Sequence, residues 1–153
     1  MKDTTLSQHR MTAVERAIAL RGVEAFQGVP MNQLAYVAAA ATEEWFEDGE
    51  CLFRQGEPPG SLFVILDGRV RLERDGKAFG NAEPGEALGT WSLFDDHPRR
   101  ATATSEGNTR ALALDRDEFY DVLSEHVEIA RSLVQDLVRR LMKLTGLDVE
   151  DTQ

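Results

Sequence analysis

Apolar positions change their spacing twice along this chain, and each change marks a boundary. Between Thr12 and Ala41 they recur at helical intervals. Thr12-Ala13-Val14-Glu15 has the spacing of a capping box, in which a hydroxyl and a carboxylate each satisfy an orphan N–H at a helix start. The helix it opens is expected to end near Gly22. Pro30 suits a helix entry, and Leu34, Val37, Ala38 and Ala41 then fall on one face of a second helix. From Thr42 the period shortens. Trp45-Phe46, Cys51-Leu52-Phe53, Ser61-Leu62-Phe63-Val64-Ile65-Leu66 and Arg69-Val70-Arg71-Leu72 are β-prone runs. Asp48-Gly49, Gly56, Pro58-Pro59-Gly60, Asp67-Gly68 and Asp75-Gly76 divide them as turns. Arg69 to Glu73 alternates polar and apolar residues, as a strand with one wet face does. Two more strands are expected over Ala101 to Ser105 and Thr109 to Leu114.

The helical period then returns. Asp115-Arg116-Asp117-Glu118 offers a cap with a glutamate three residues on, opening a helix through Phe119, Val122 and Leu123. A last helix is expected from about Val127 to Leu144, with Ile129, Leu133, Val134, Leu137, Val138, Leu141 and Met142 at helical spacing. This stripe is expected first of all to be core covering the roll. Its two ridges, Leu133-Leu137-Leu141 and Val134-Val138-Met142, are wider than one contact needs and could also serve self-association. The pattern predicts an α+β, mainly β fold: an antiparallel, jelly-roll-like β-roll flanked by N-terminal and C-terminal helices. It divides the chain into a mobile N-terminus (1–11), one domain (12–144) and a C-terminal tail (145–153).

Composition narrows the partners. A chain of 153 residues with 42% hydrophobic and 29% charged content is an ordinary soluble globular domain with room for a core. Lys+Arg 17 against Asp+Glu 27 leaves a net charge of −10, which repels polyanions. Direct DNA binding is therefore not expected, and no helix-turn-helix pattern follows Leu144. The run from Leu34 to Ala41 is far too short to span a bilayer, so membrane insertion is not expected. Cys51 is the only cysteine and the N-terminal residues lack an apolar signal region. Both point to a cytoplasmic protein.

Candidate chemistry concentrates between Pro84 and Thr102. There a glycine turn leads into a short apolar helical turn, and an arginine pair then enters a strand. Backbone N–H groups exposed by Gly89 at the start of the helical turn form an anion site. Arg99 could close it with a fork suited to phosphate. Arg100, on the alternate face, is expected at the surface. Trp91 is expected to pack, and Asp95-Asp96-His97 to form a solvated loop. His9, His97 and His126 lie in separate elements without metal spacing. Ser92 lacks a nucleophile-elbow context and Cys51 sits in an expected strand. Nothing indicates an enzyme, a catalytic residue or a cofactor. Arg139 and Arg140 are read first as a solvated face, with a lid over a ligand as the alternative.

Three segments carry a resemblance, in the same order. These are Phe53 to Gly68 (Phe-Arg-Gln-Gly-Glu-Pro-Pro-Gly-Ser-Leu-Phe-Val-Ile-Leu-Asp-Gly), Pro84-Gly85-Glu86-Ala87-Leu88-Gly89, and Pro98-Arg99-Arg100-Ala101-Thr102. Together they resemble the cyclic-nucleotide-binding domain family, which includes bacterial catabolite activator proteins and regulatory subunits of cAMP-dependent kinases, over roughly residues 13–144. The resemblance implies a cyclic nucleotide, cAMP or a related one, held by Leu88, Gly89, Thr90, Trp91, Arg99, Arg100 and Ala101. In the family a glutamate that accepts the ribose 2′-OH precedes the phosphate arginine. Arg99 falls on the arginine and Thr90, nine residues earlier, on the glutamate. Glu86 lies thirteen residues before Arg99 and would need four inserted residues to take that role, so it is the minor alternative. A hydroxyl in place of a carboxylate lowers affinity by on the order of tenfold. The resemblance implies a stand-alone cyclic-nucleotide-sensing regulatory module, acting through a homodimer of the last helix or on a separate regulated protein. The alternative is a degenerate fold that serves as an interaction or structural domain without ligand.

Overall fold

In the computed structural model, which describes residues 10–146, the Thr12 hydroxyl accepts the Glu15 N–H and the Glu15 carboxylate accepts the Thr12 N–H. This box opens α1 (Ala13–Arg21), which stops at Gly22. The segment expected to be mobile lies outside the described residues up to His9. Met11 is held: its N–H donates to Glu43 at 2.8 Å and its side chain packs on the core. A short 3-10 turn (Glu24–Phe26) leads to α2 (Met31–Ala40), whose Leu34, Val37 and Ala38 are fully buried.

Strands begin at Thr42, where the periodicity placed them. They are β1 (Thr42–Phe46), β2 (Cys51–Phe53), β3 (Leu62–Arg74), β4 (Lys77–Ala82), β5 (Ala87–Leu88) and β6 (Thr102–Leu114). The sheet is antiparallel in the order β1-β6-β3-β4, with β2 also on β6 and β5 also on β3. Asp115 caps α3 (Arg116–Glu125) by accepting the Glu118 N–H at 3.1 Å, and α4 (Val127–Thr145) follows directly.

Three expectations need correction. Asp67-Gly68 is no hairpin turn: β3 runs through it for 13 residues, and β6 likewise joins the two strands expected on either side of Gly107. Register shifts flank Asp67, and Gly68 has φ +94°. A Cβ there would lie 2.4 Å from the Asn108 carbonyl, so this glycine lets two long strands cross closely while they bend. Second, β4 and β5 were not expected, because one is a mostly exposed run containing glycine and asparagine and the other has two residues.

The third concerns α4. Only Ile129 of its stripe is buried, with Leu133 partly so, while Val134, Leu137, Val138 and Leu141 are exposed. Its first turn covers the roll through Ile129, and from Ser132 on polar contacts dock the helix on α2 and the first 3-10 turn. Ser132 donates to Gln33, the Asp136 carboxylate lies against Gly28, and Arg140 donates to the Glu24 carbonyl.

Alternation along β3 feeds two cores. Leu62 and Val64 meet Leu20, Phe26, Leu34, Phe119 and Ile129 beneath the helices. Phe63 and Ile65 turn the other way and meet Phe53, Val70 and Ala111 inside the roll. Removing a ring such as Phe119, which faces Phe26 at 5.9 Å, would cost about 3–5 kcal/mol.

Candidate anion-binding site

Leu88 pairs with Phe63 and is buried in the roll, which delivers Gly89 to the end of β5 at a fixed position. Gly89 takes a left-handed conformation (φ 80°, ψ 21°) and starts a second 3-10 turn, Thr90–Leu93. The N–H groups of Thr90 and Trp91 open that turn and have no acceptor within it. Ser92 and Leu93 are its buried side. Trp91 is 68% exposed, contrary to the expectation that it packs, because the inward positions of so short a turn are already taken. α3 grips the far end of the turn: Tyr120 donates to the Leu93 carbonyl, and Arg116 donates to the carbonyls of Ser92 and Asp95 and to the Asp96 carboxylate.

Arg99 reaches Gly89 from the other side. Its backbone is clamped by two bonds, its own N–H to the Glu57 carbonyl and the Gly56 N–H to its carbonyl, both 2.8 Å. Its side chain is only 7% exposed. The guanidinium carbon stands 4.0 Å from the Phe53 ring centroid, and Nη2 donates to the Ser61 carbonyl at 2.8 Å. Nη1 is buried and has no partner. It is aimed at Gly89, where a Cβ would lie 2.4 Å away. No carboxylate pairs with Arg99 within ion-pair distance among the described residues. Burial lowers its pKa, and the field of Glu57 partly opposes that. A buried cation with an unpartnered Nη1 amino group facing a glycine is an arrangement that an anion completes.

The other expected residues are distributed around this pair. Thr90 is half-buried beside Gly89, and Ala101 is half-buried at the approach to β6. Arg100 turns outward: its Nη2 meets Asp95 at 3.5 Å, and its carbonyl accepts from Arg74. Phe53 and Ser61 were missed. Ser61 acts through its carbonyl, which no side-chain pattern reveals, and Phe53 resembled any other strand residue. Of the two expected lid candidates, Arg140 is engaged with Asp136 at 2.9 Å and with the first 3-10 turn. His126 stacks on Tyr36, His97 contacts the Pro98 carbonyl, and His9 lies outside the described residues. Among the described residues no cluster could hold a metal ion. None of the described helices is long and apolar enough to cross a membrane.

Known proteins resemble this chain in sequence and fold. The model of the cyclic nucleotide-binding domain matches residues 43–126, which include β1 from its second residue, β2 to β6, Gly89 and Arg99. The chain is 30% identical over 135 residues to a CRP-like cAMP-activated global transcriptional regulator of Mycobacterium tuberculosis, covering 85% of this chain and 59% of that protein. It is 27% identical over 129 residues to a cAMP-dependent protein kinase regulatory subunit of Dictyostelium discoideum, covering 78% of this chain and 38% of the other. The chain thus spans only part of these relatives. Among solved structures, the N-terminal domain of a transcriptional regulator from Streptomyces coelicolor superposes with a TM-score of 0.72 at 30% identity, covering 85% of this chain and 95% of that one. By its matched segment, its roll and the order of its elements, the chain belongs to the cyclic nucleotide-binding domain family.

Proposed function

We propose that this chain is a regulatory module that senses cAMP or a related cyclic nucleotide, with no catalytic role of its own. The observation that carries the reading is Arg99, a buried guanidinium whose Nη1 is unpartnered and directed at Gly89. One cyclic phosphate supplies both the missing acceptor and the missing counter-charge. Gly89 leaves the space, and in this reading Thr90, next in the chain, would meet the ribose, with Leu88 and Ala101 beside the phosphate. The output is α4. Arg116 and Tyr120 hold the Gly89–Leu93 segment from α3, and α3 runs straight into α4 at His126, so a shift of the turn is passed to the last helix. A ligand moves that helix only as far as it binds the two positions with different affinity.

The exposed residues Val134, Leu137, Leu141 and Leu144 repeat with the alternating spacing of a coiled-coil seam. This supports a homodimer through α4. With a net charge of −10, any DNA contact lies outside this domain.

Calorimetric titration with cAMP, cGMP and AMP tests the reading. Saturable binding of a cyclic nucleotide but not of AMP is the expected result. Flat heats at millimolar ligand would overturn it in favour of a ligand-free interaction domain.

A further inference from the structure

A guanidinium carries its N–H donors in its own plane, so a partner that grips its face leaves those donors free, whereas a carboxylate binds through them. The partner of Arg99 is a ring. Its guanidinium carbon lies over Phe53, 4.0 Å from the centroid. Two neighbours limit how the group can turn: Nη2 donates to the Ser61 carbonyl at 2.8 Å, and a Cβ on Gly60 would stand 3.2 Å from that nitrogen. Glu57, the acidic residue whose field reaches Arg99, accepts the Arg54 N–H at 3.0 Å instead of pairing with the cation.

Phe53 is itself fixed from behind. It is buried and stacks on Phe63 with centroids 6.1 Å apart, and Phe63 meets Phe46 edge-on at 5.9 Å. Phe63 also pairs across strands with Leu88, the residue before Gly89. One buried ring thus backs both halves of the site: the wall that carries Arg99 and the strand that delivers Gly89.

We propose that Phe53 is a positioning residue for anion capture: its ring holds the Arg99 cation by the face, in place of a carboxylate, and so keeps Nη1 unspent and aimed at Gly89. This rests on the reading that Arg99 takes the cyclic phosphate. A carboxylate in the ring's place would neutralise the guanidinium and occupy the donors that the phosphate needs, so the ligand would have to displace it. The ring attracts the cation through its quadrupole and neutralises nothing. Without that hold the guanidinium is free to swing towards the Glu57 carboxylate, and the apparent affinity falls with the fraction of molecules still in the competent pose.

The test replaces Phe53 with mono-, di- and trifluorinated phenylalanine, which keep the ring's shape while draining its negative face, and separately with leucine. Phe46, which belongs to the same ring cluster but is not the ring under Arg99, is fluorinated in the same way as a control. Each protein is titrated with cAMP by calorimetry and melted without ligand to show that it is folded at the titration temperature. Affinity is expected to fall stepwise along the Phe53 series, to roughly three- to thirtyfold below wild type for the trifluorinated ring and for Phe53→Leu. The Phe46 series is expected to keep wild-type affinity. Fluorinated rings fill nearly the same volume, so the series decides the matter even where leucine disturbs the fold. A flat Phe53 series would overturn the proposal while leaving the Arg99 reading intact, and so would an equal loss in the Phe46 series. A wild type that binds no cyclic nucleotide would overturn the two together.

Discussion

Arg99 is held where its Nη1 is buried without an acceptor, and the first residue-scale prediction turns on that fact. Arg99→Ala is expected to weaken cyclic-nucleotide binding strongly in calorimetry. The lost charge-assisted bonds amount to about 1.5–3 kcal/mol, roughly ten- to a hundredfold in Kd. Arg100→Ala is expected to change affinity less than about threefold, since its guanidinium reaches only the partly exposed Asp95. Equal losses in the two variants would move the anion contact by one residue. Thr90→Glu is expected to tighten cAMP about tenfold by giving the ribose hydroxyl a charged acceptor. A variant no tighter than wild type would show that the pocket is not shaped around a ribose. At this scale Gly89 and Arg99 were legible in the sequence, because a tight turn and a fork-shaped cation announce themselves by residue type. Ser61 was not, since it contributes a backbone carbonyl from 38 positions away.

Among the elements, caps and breakers gave reliable boundaries where the chemistry is local. Thr12, Pro30 and Asp115 each stand at the helix start their side chains favour. Gly68 misled for a physical reason: a hairpin turn and a bend in a long strand both call for positive φ, and only the neighbouring strand distinguishes them. The stripe on α4 misled differently, because apolar spacing shows that a face exists and not what covers it. What docks this helix is largely polar, and Gly28 is its tightest point. An added Cβ there would sit 2.4 Å from Asp136 Cγ. Gly28→Ala is therefore expected to loosen α4 by about 1–3 kcal/mol of overpacking. Hydrogen exchange should show faster exchange in α4 while β3 and β6 keep their protection. Unchanged exchange in α4 would mean that Asp136 simply swings aside.

For the molecule as a whole, the exposed seam on α4 faces away from its own core, and the proposed homodimer would cover it. Leu137 is 57% exposed, so Leu137→Asp removes little from the fold of one chain. It is expected to convert a dimer into a monomer in sedimentation velocity, with a melting temperature within a few degrees of wild type at equal chain concentration. A monomeric wild type, or a dimer that survives the substitution, would leave α4 without this role. One path of contacts links the proposed ligand site to the proposed dimer seam, from Gly89 through Leu93, Tyr120 and Arg116 to α3 and α4.

Local chemistry alone determined the placing of two helices before the strands and two after, the capped helix starts, the onset of strands at Thr42 and the choice of Gly89 and Arg99 as a candidate pair. These depend on neighbours within a few residues, where backbone geometry and hydrogen-bonding options leave little choice. Tertiary structure decided the rest. It joined the short runs into two long bent strands and gave Arg99 the Phe53 ring and the Ser61 carbonyl. It left Nη1 unpartnered and set α4 against the N-terminal turn with its seam exposed. Each of these is a meeting of residues far apart in the chain, and burial there is a property of the partner that arrives rather than of the residue that waits for it.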